Sequence, residues 1–136
     1  MFQVSKGSGH LDICFSATLE NIDTASEETK RFLATSGIED RAFDILLVMR
    51  EALNNVVKHG SQMNHLKVVK YNLYLKHDYL IMEIEDEGNG FDWRASLGKK
   101  HLSTLDSGRG LAIIKEYSVD VTFNDKGNRL ILREKI

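Results

Sequence analysis

The sequence predicts a two-layer α/β (α+β) sandwich: a mixed or antiparallel sheet covered on one face by helices. Three observations carry that expectation. Short runs alternate apolar and polar residues at 10–18, 66–76, 79–86, 119–123 and 129–134, the signature of half-buried strands. Helical spacing of apolar residues recurs at 21–36, at 40–58 and from Gly108 to Tyr117. The resulting order is strand, helix, helix, two strands, helix, two strands, which lets helices gather on one side of a sheet.

Each element has a local reason. In 10–18, Leu11, Ile13, Phe15 and Ala17 share one face. The first helix carries Ile22, Ala25, Phe32 and Leu33 and stops at Ser36-Gly37. Asp40 is placed to cap a longer second helix that runs to about Lys58 and closes at Gly60. Strands 66–76 and 79–86 turn at His77-Asp78. A polar, glycine-containing stretch from Glu87 to Ser107 leads into the third helix. The last two strands are joined by Asn124-Asp125-Lys126-Gly127-Asn128, a good hairpin turn. No internal repeat or low-complexity linker interrupts the chain.

Composition narrows the function. The 136 residues fit one domain, 1–136, with room for a core. A net charge of −2 without a basic block argues against direct nucleic-acid binding. No apolar run approaches ~18 residues, so no membrane span is expected. The N-terminus lacks a charged-then-apolar signal pattern, so a cytoplasmic location is expected. Cys14 is the single cysteine and sits among Leu11, Ile13 and Phe15, which reads as a packed thiol. His10, His59, His65, His77 and His101 show no metal-ligand spacing. The absence of proline has no functional reading.

The second helix carries the first candidate chemistry. Ala42, Leu46, Met49, Leu53, Val56 and Val57 gather on one side, and Asp44, Glu51, Asn55 and Lys58 on the other. For most helices the second side is simply a solvated face. Here Leu47 and Val48 flank it closely, and Glu51 and Asn55 stand one turn apart, so both side chains can reach one object. A carboxylate and an amide oxygen at that spacing suit an activated hydroxyl and Mg²⁺, which keeps most of its waters and needs few protein ligands.

In 79–86 the alternation puts Asp86 on the same face as Leu80, Met82 and Ile84. It is either a turn-forming Asp before a glycine or a buried carboxylate that requires a partner. Further on, Gly108-Arg109-Gly110-Leu111 opens a helix, where free N–H groups favour anions and glycines allow close approach. It is not a dinucleotide fingerprint, because the third glycine is missing. Nor is it a Walker A loop, because no Gly-Lys-Ser/Thr follows.

Taken in order, Glu51–His59, Asp86–Asp92 and Gly108–Leu111 resemble the ATP site of the GHKL superfamily, with its Bergerat fold. That superfamily includes DNA gyrase, one class of heat-shock chaperones, the mismatch-repair protein MutL and the histidine kinases. The resemblance runs from about Leu11 to Lys135. It implies that Glu51 is the general base, that Asn55 holds Mg²⁺ and that Lys58 reaches toward the phosphates. His59 matches an aromatic or histidine position, or else only packs or caps. Asp86 would accept a hydrogen bond from the adenine amino group, with Gly88 leaving room for the base and Gly90 completing that glycine box. Residues from about 88 to 108 would form the ATP lid, where Lys99 and Lys100 either screen phosphate or are simply solvated. Gly108 would shape the phosphate turn, and the Gly110 and Leu111 amides would contact phosphate. Arg109 either pairs with phosphate or faces solvent. One departure stands out: where the family often has Gly-Thr or Gly-Ser entering the last strand, this chain has Gly127-Asn128.

Within the superfamily, the short chain and Glu rather than Asn at position 51 resemble the bacterial anti-sigma serine/threonine-protein kinases. A histidine kinase needs a further helical hairpin, and none is expected within these 136 residues. The resemblance implies a STAS-domain antagonist as substrate, possible competition by a sigma factor, and a homodimer. Two alternatives stay open. One is a non-catalytic nucleotide-holding module that sequesters its partner. The other is a switch kinase acting on a STAS scaffold to activate a phosphatase.

Overall fold

The computed structural model describes residues 1–61, 64–87, 120–124 and 128–136. In them six strands form one sheet: β1 (Phe2–Gly7), β2 (His10–Ser16), β3 (Val68–Lys76), β4 (Tyr79–Asp86), β5 (Asp120–Phe123) and β6 (Arg129–Lys135). The order across the sheet is β1-β2-β3-β4-β6-β5, and every pairing is antiparallel. Two helices, α1 (Leu19–Thr35) and α2 (Ala42–Asn55), lie together and pack on the sheet. The two-layer architecture expected from the sequence is present, with the sheet antiparallel rather than mixed.

Alternation decides which face is buried. Leu11, Ile13 and Phe15 of β2, Val69, Tyr71 and Leu73 of β3, Leu80, Met82 and Ile84 of β4, and Leu130 and Leu132 of β6 point to the helix side and are buried. Ile22, Ala25 and Leu33 of α1 meet them with Ile45, Val48, Met49, Ala52 and Leu53 of α2. One polar pair is built into this layer: the Tyr71 hydroxyl lies 2.9 Å from Thr29 Oγ1, which donates to the Ala25 carbonyl. Burial raises the Tyr71 pKa, so the phenol stays protonated.

The helix ends follow local chemistry. Thr18 Oγ1 accepts from the Asn21 amide, so α1 begins two residues before the expected 21. At the other end Gly37 takes φ 77°, the Ile38 amide donates to the Leu33 carbonyl and the Gly37 amide to Ala34. This is a Schellman stop, which needs a residue free to adopt positive φ, and Ile38 can pack back on Leu33.

Three expectations need correction. Strand β1 was not foreseen; its residues are almost all exposed, so no apolar face advertises it. Asp40 does not cap α2. It lies in a short 3₁₀ turn, Glu39–Arg41, that leads into the helix, and no side chain caps the start of α2. Nor does α2 continue regularly to Lys58: it widens into a π-helical turn over Val56–Gly60. The Glu87–Ser107 stretch beyond Glu87, the lid and the third helix lie outside the described residues.

Candidate functional site

The candidate site residues that the structure describes stand at the C-terminal end of α2, in the turn after it and at the end of β4. Six residues of α2 are buried, and Asn55 is among them, only 8% exposed. The polar side read from the sequence is therefore not uniform: Asp44 and Glu51 are half-buried, Lys58 is exposed, and Asn55 is enclosed. The close flanking by Leu47 and Val48 anticipated this.

Immediately after Asn55 the helix widens. The Ser61 amide donates to the Val56 carbonyl at 2.7 Å, five residues back. Single π turns of this kind are frequent at functional sites. The turn packs against β4, the strand that ends in Asp86.

Among the described residues, two buried polar atoms at this junction have no hydrogen-bond partner, Asn55 Nδ2 and Ser61 Oγ. Buried polar groups are nearly always satisfied, so an orphan marks strain, a missing solvent molecule or a ligand position. An enclosed amide one turn beyond a carboxylate suits a site that is completed by a polar ligand. Ser61 was not singled out from the sequence, because a serine after a helix-ending glycine looks like an ordinary loop residue.

Asp86 is 5% exposed and closes β4 on the helix side of the sheet, as the alternation required. Its main chain is held from the last strand. The Asp86 amide donates to the Asn128 carbonyl at 2.9 Å, and Asn128 Nδ2 donates to the Asp86 carbonyl at 3.0 Å. Asn128 is itself fixed: its amide donates to Asn124 Oδ1 at 3.0 Å, and its Oδ1 accepts from Asn124 Nδ2 at 2.6 Å. The position where the superfamily often has a hydroxyl is thus occupied by an amide that holds the Asp86 backbone. Next along, Glu87 Oε1 accepts from the Val68 amide at 2.6 Å and ties the end of β4 to the start of β3.

Asn55 is thus buried at the end of α2 with Glu51 half-buried one turn before it, the π turn that follows packs against β4, and Asp86 is buried at the end of that strand. Lys58 follows on that turn with its side chain exposed. Gly88, Gly90, Gly108, Arg109, Gly110 and Leu111 lie outside the described residues, as do the side chain of His59 and both Lys99 and Lys100. Among the described residues no cluster of three or more His, Cys, Asp or Glu gathers in a metal-binding arrangement. No helix among them is long and apolar enough to cross a membrane.

Comparison with known proteins gives this arrangement a family. Sensor protein VraS of Staphylococcus aureus, in strains COL and MRSA252 alike, is 32% identical over 103 residues. The match takes in 76% of this chain but only 27% of the relatives' length. Among solved structures, the histidine kinase domain from the Erythrobacter litoralis EL346 blue-light activated histidine kinase aligns with a TM-score of 0.49 and 19% identity. That alignment covers 68% of this chain and 42% of that one. The family described as histidine kinase-like ATPase domain matches residues 15–134. The chain belongs to that family, within the GHKL superfamily that its three motifs resemble, and ATP is the nucleotide this membership implies.

Proposed function

We propose that the protein is an ATP- and Mg²⁺-dependent serine/threonine protein kinase of a bacterial partner-switching system, which phosphorylates a STAS-domain antagonist and sequesters a sigma factor that competes with that antagonist for the kinase. The observation that carries this reading is the pair at the end of α2: half-buried Glu51 one turn before buried Asn55, whose amide nitrogen has no partner. Glutamate at the first position can take a proton, which asparagine cannot.

The roles follow from phosphoryl-transfer chemistry, in which positioning and charge stabilisation do most of the work. Glu51 would accept the proton of the substrate hydroxyl as the hydroxyl oxygen bonds to the γ-phosphorus and the bond from that phosphorus to the departing ADP oxygen breaks. Asn55 offers its amide oxygen to the cation. Asp86 fixes the adenine edge, and Asn128 and Glu87 fix the backbone on either side of it. By the family resemblance, Lys58, Arg109 and the amides of Gly110 and Leu111 would bind the phosphates, and Gly88, Gly90 and Gly108 would allow close approach. Bound Mg-ATP supplies the transferable phosphoryl group.

Membership of the histidine kinase-like ATPase family favours a second reading, a kinase domain whose phosphoryl acceptor is a histidine. In it Glu51 positions rather than deprotonates the acceptor, since a neutral imidazole nitrogen attacks without losing a proton first.

Two measurements test the proposal in order. The thermal midpoint with and without Mg-ATP comes first: a ligand at ~100 times its dissociation constant stabilises by roughly 2.7 kcal/mol. A shift establishes nucleotide binding; no shift at millimolar Mg-ATP removes the kinase reading. Labelled ATP is then supplied with a small STAS-domain protein. Acid-stable label on a serine supports the proposal. Acid-labile, base-stable label on histidine replaces it with the second reading. Nucleotide binding without any transfer leaves a partner-sequestering module.

A further inference from the structure

We propose that the Ser61 hydroxyl is a base-reading group of the nucleotide site: while Asp86 accepts from the adenine amino group, Ser61 donates to a ring nitrogen beside that amino group, directly or across one bound water. The inference rests on the ATP reading above and adds to it the residue that meets an acceptor of the base.

Ser61 is fully buried, and its Oγ has no hydrogen-bond partner among the described residues. A hydroxyl carries one donor and two acceptor positions, so leaving all of them unmet away from water is costly. The backbone of Ser61 is held on both sides. Its amide donates to the Val56 carbonyl at 2.7 Å, and its carbonyl accepts from the Asn64 amide at 3.0 Å. The hydroxyl therefore cannot swing out to solvent without undoing the turn. A fixed, unmet donor of this kind is completed by a polar group that enters from outside the fold.

Two lines of geometry bring Ser61 to the Asp86 end of the molecule. Arg41 and Asp44, at the start of α2, are close enough to Glu134 to act on its charge, and Glu134 stands opposite Leu80 near the start of β4. From there α2 rises ~21 Å over its 14 residues. β4 covers ~20 Å from Leu80 to Asp86. The π turn beyond α2 still packs on β4, so it lies toward Asp86. The chain that follows Ser61 arrives at the same place. The Asn64 amide bonds Ser61, the Lys67 amide donates to the Asn64 carbonyl at 2.9 Å, and just beyond it Val69 pairs with Asp86.

Chemistry then selects the base rather than the phosphates. Phosphate oxygens call for cations or for exposed amides. A neutral, buried hydroxyl suits a neutral ring nitrogen. The adenine edge presents an amino donor with an acceptor nitrogen on either side, N1 and N7. An ionised carboxylate only accepts, so Asp86 can meet the amino group but neither ring nitrogen. The neighbouring polar side chains are already bonded: Asn128 to the Asp86 carbonyl and to Asn124, and Glu87 to the Val68 amide. Asn55 Nδ2, the other unmet donor, precedes the π turn, at the position that the proposed function gives to the cation. Ser61, after the turn, is left to supply the donor that the base requires. The proposal does not depend on whether the site phosphorylates serine or histidine.

The test is titration calorimetry of the wild type and of Ser61→Ala with the magnesium complexes of ATP, 1-deaza-ATP and 7-deaza-ATP. Each analogue replaces one ring nitrogen by C–H and keeps the amino group. Ser61→Ala should melt no lower than the wild type without nucleotide, because it removes only an unmet hydroxyl. It should bind ATP roughly fivefold more weakly, the loss of one net hydrogen bond. The wild type should bind one of the two analogues more weakly than ATP by a similar factor. Ser61→Ala should not distinguish that analogue from ATP, a non-additivity that a merely structural serine would not produce. Wild-type ATP affinity in Ser61→Ala overturns the proposal and leaves the ATP site standing. So do analogue penalties that are the same in both proteins. A wild type that binds none of the three nucleotides instead removes the ATP reading itself, and this proposal with it.

Discussion

Asn128 holds Asp86 by both ends of its backbone: its carbonyl accepts from the Asp86 amide, and its side-chain Nδ2 donates to the Asp86 carbonyl. The first bond belongs to the approach of β6 to β4 and would form with many residues at 128. The second is specific to the amide side chain, which Asn124 fixes in place. A residue that looked like a departure from the superfamily pattern is therefore a support for the carboxylate at the strand's end.

Replacing that support tests it directly. Asn128→Ala should lower stability by about 1 kcal/mol, the usual net value of one hydrogen bond. That corresponds to a fall of roughly 4 °C in melting temperature for a chain of this size. Differential scanning calorimetry without nucleotide is the check; an unchanged midpoint means the side-chain bond contributes nothing to the fold. Nucleotide affinity should fall as well, through a less firmly held Asp86.

Asp86→Asn should leave a folded protein that no longer binds ATP. The amide turns a donor toward the adenine amino group, where an acceptor is required. Titration calorimetry with Mg-ATP reads this, and wild-type affinity in the variant would remove the adenine assignment.

Glu51→Gln separates binding from transfer. The amide keeps the shape of the side chain but cannot take a proton, so ATP affinity should be retained while phosphorylation of a serine acceptor stops. Transfer at the wild-type rate would exclude Glu51 as the base.

Asn55→Ala should abolish the Mg²⁺ dependence of nucleotide binding. It should do so without destabilising the ligand-free protein, because Nδ2 of the wild-type side chain is buried with no hydrogen bond to lose. Affinity measured with and without Mg²⁺ is the first readout and the ligand-free melting temperature the second. A magnesium effect as large as in the wild type would assign the cation to another residue.

Glu134 predicts a pH dependence. It is only 2% exposed, and neither carboxylate oxygen has a hydrogen-bond partner among the described residues. Burial pushes its pKa up to about 8; Arg41 partly offsets this and Asp44 adds to it. The unfolded chain releases this proton near pH 4.5 and the folded chain holds it to about pH 8. The folded state thus binds the extra proton between those values, so the group's contribution to stability falls as pH rises through that window. Glu134→Gln stays neutral throughout. Its melting temperature should exceed the wild type's by a margin that grows from pH 5 to pH 8. A constant margin would show that Glu134 titrates normally.

The extent to which the sequence was legible follows from what each residue had to announce. Alternation placed β2, β3, β4 and β6 within two residues, because each has one face of Leu, Ile, Val or Phe that water excludes. The stop of α1 was readable because a glycine at Gly37 can adopt φ 77° at little cost. Glu51 and Asn55 could be paired on paper because helical spacing alone puts them one turn apart.

Local sequence could not supply what depends on neighbours distant in the chain. Strand β1 has no buried face and exists because β2 offers it a ladder of hydrogen bonds. The burial of Asn55 and Ser61 and the π turn between them, which packs against β4, depend on segments distant in the chain. Asn128 acquires its partner only when β6 is brought beside β4. Glu134 reads as one more charged residue near a terminus until the register places it opposite Leu80, on the apolar side of the sheet. The sequence determined which residue types stand at which spacing, and so the strands, the helices and the pairing of Glu51 with Asn55. The tertiary structure decided which polar groups lose water and which gain a partner, because desolvation and cross-strand hydrogen bonding exist only once separate segments meet.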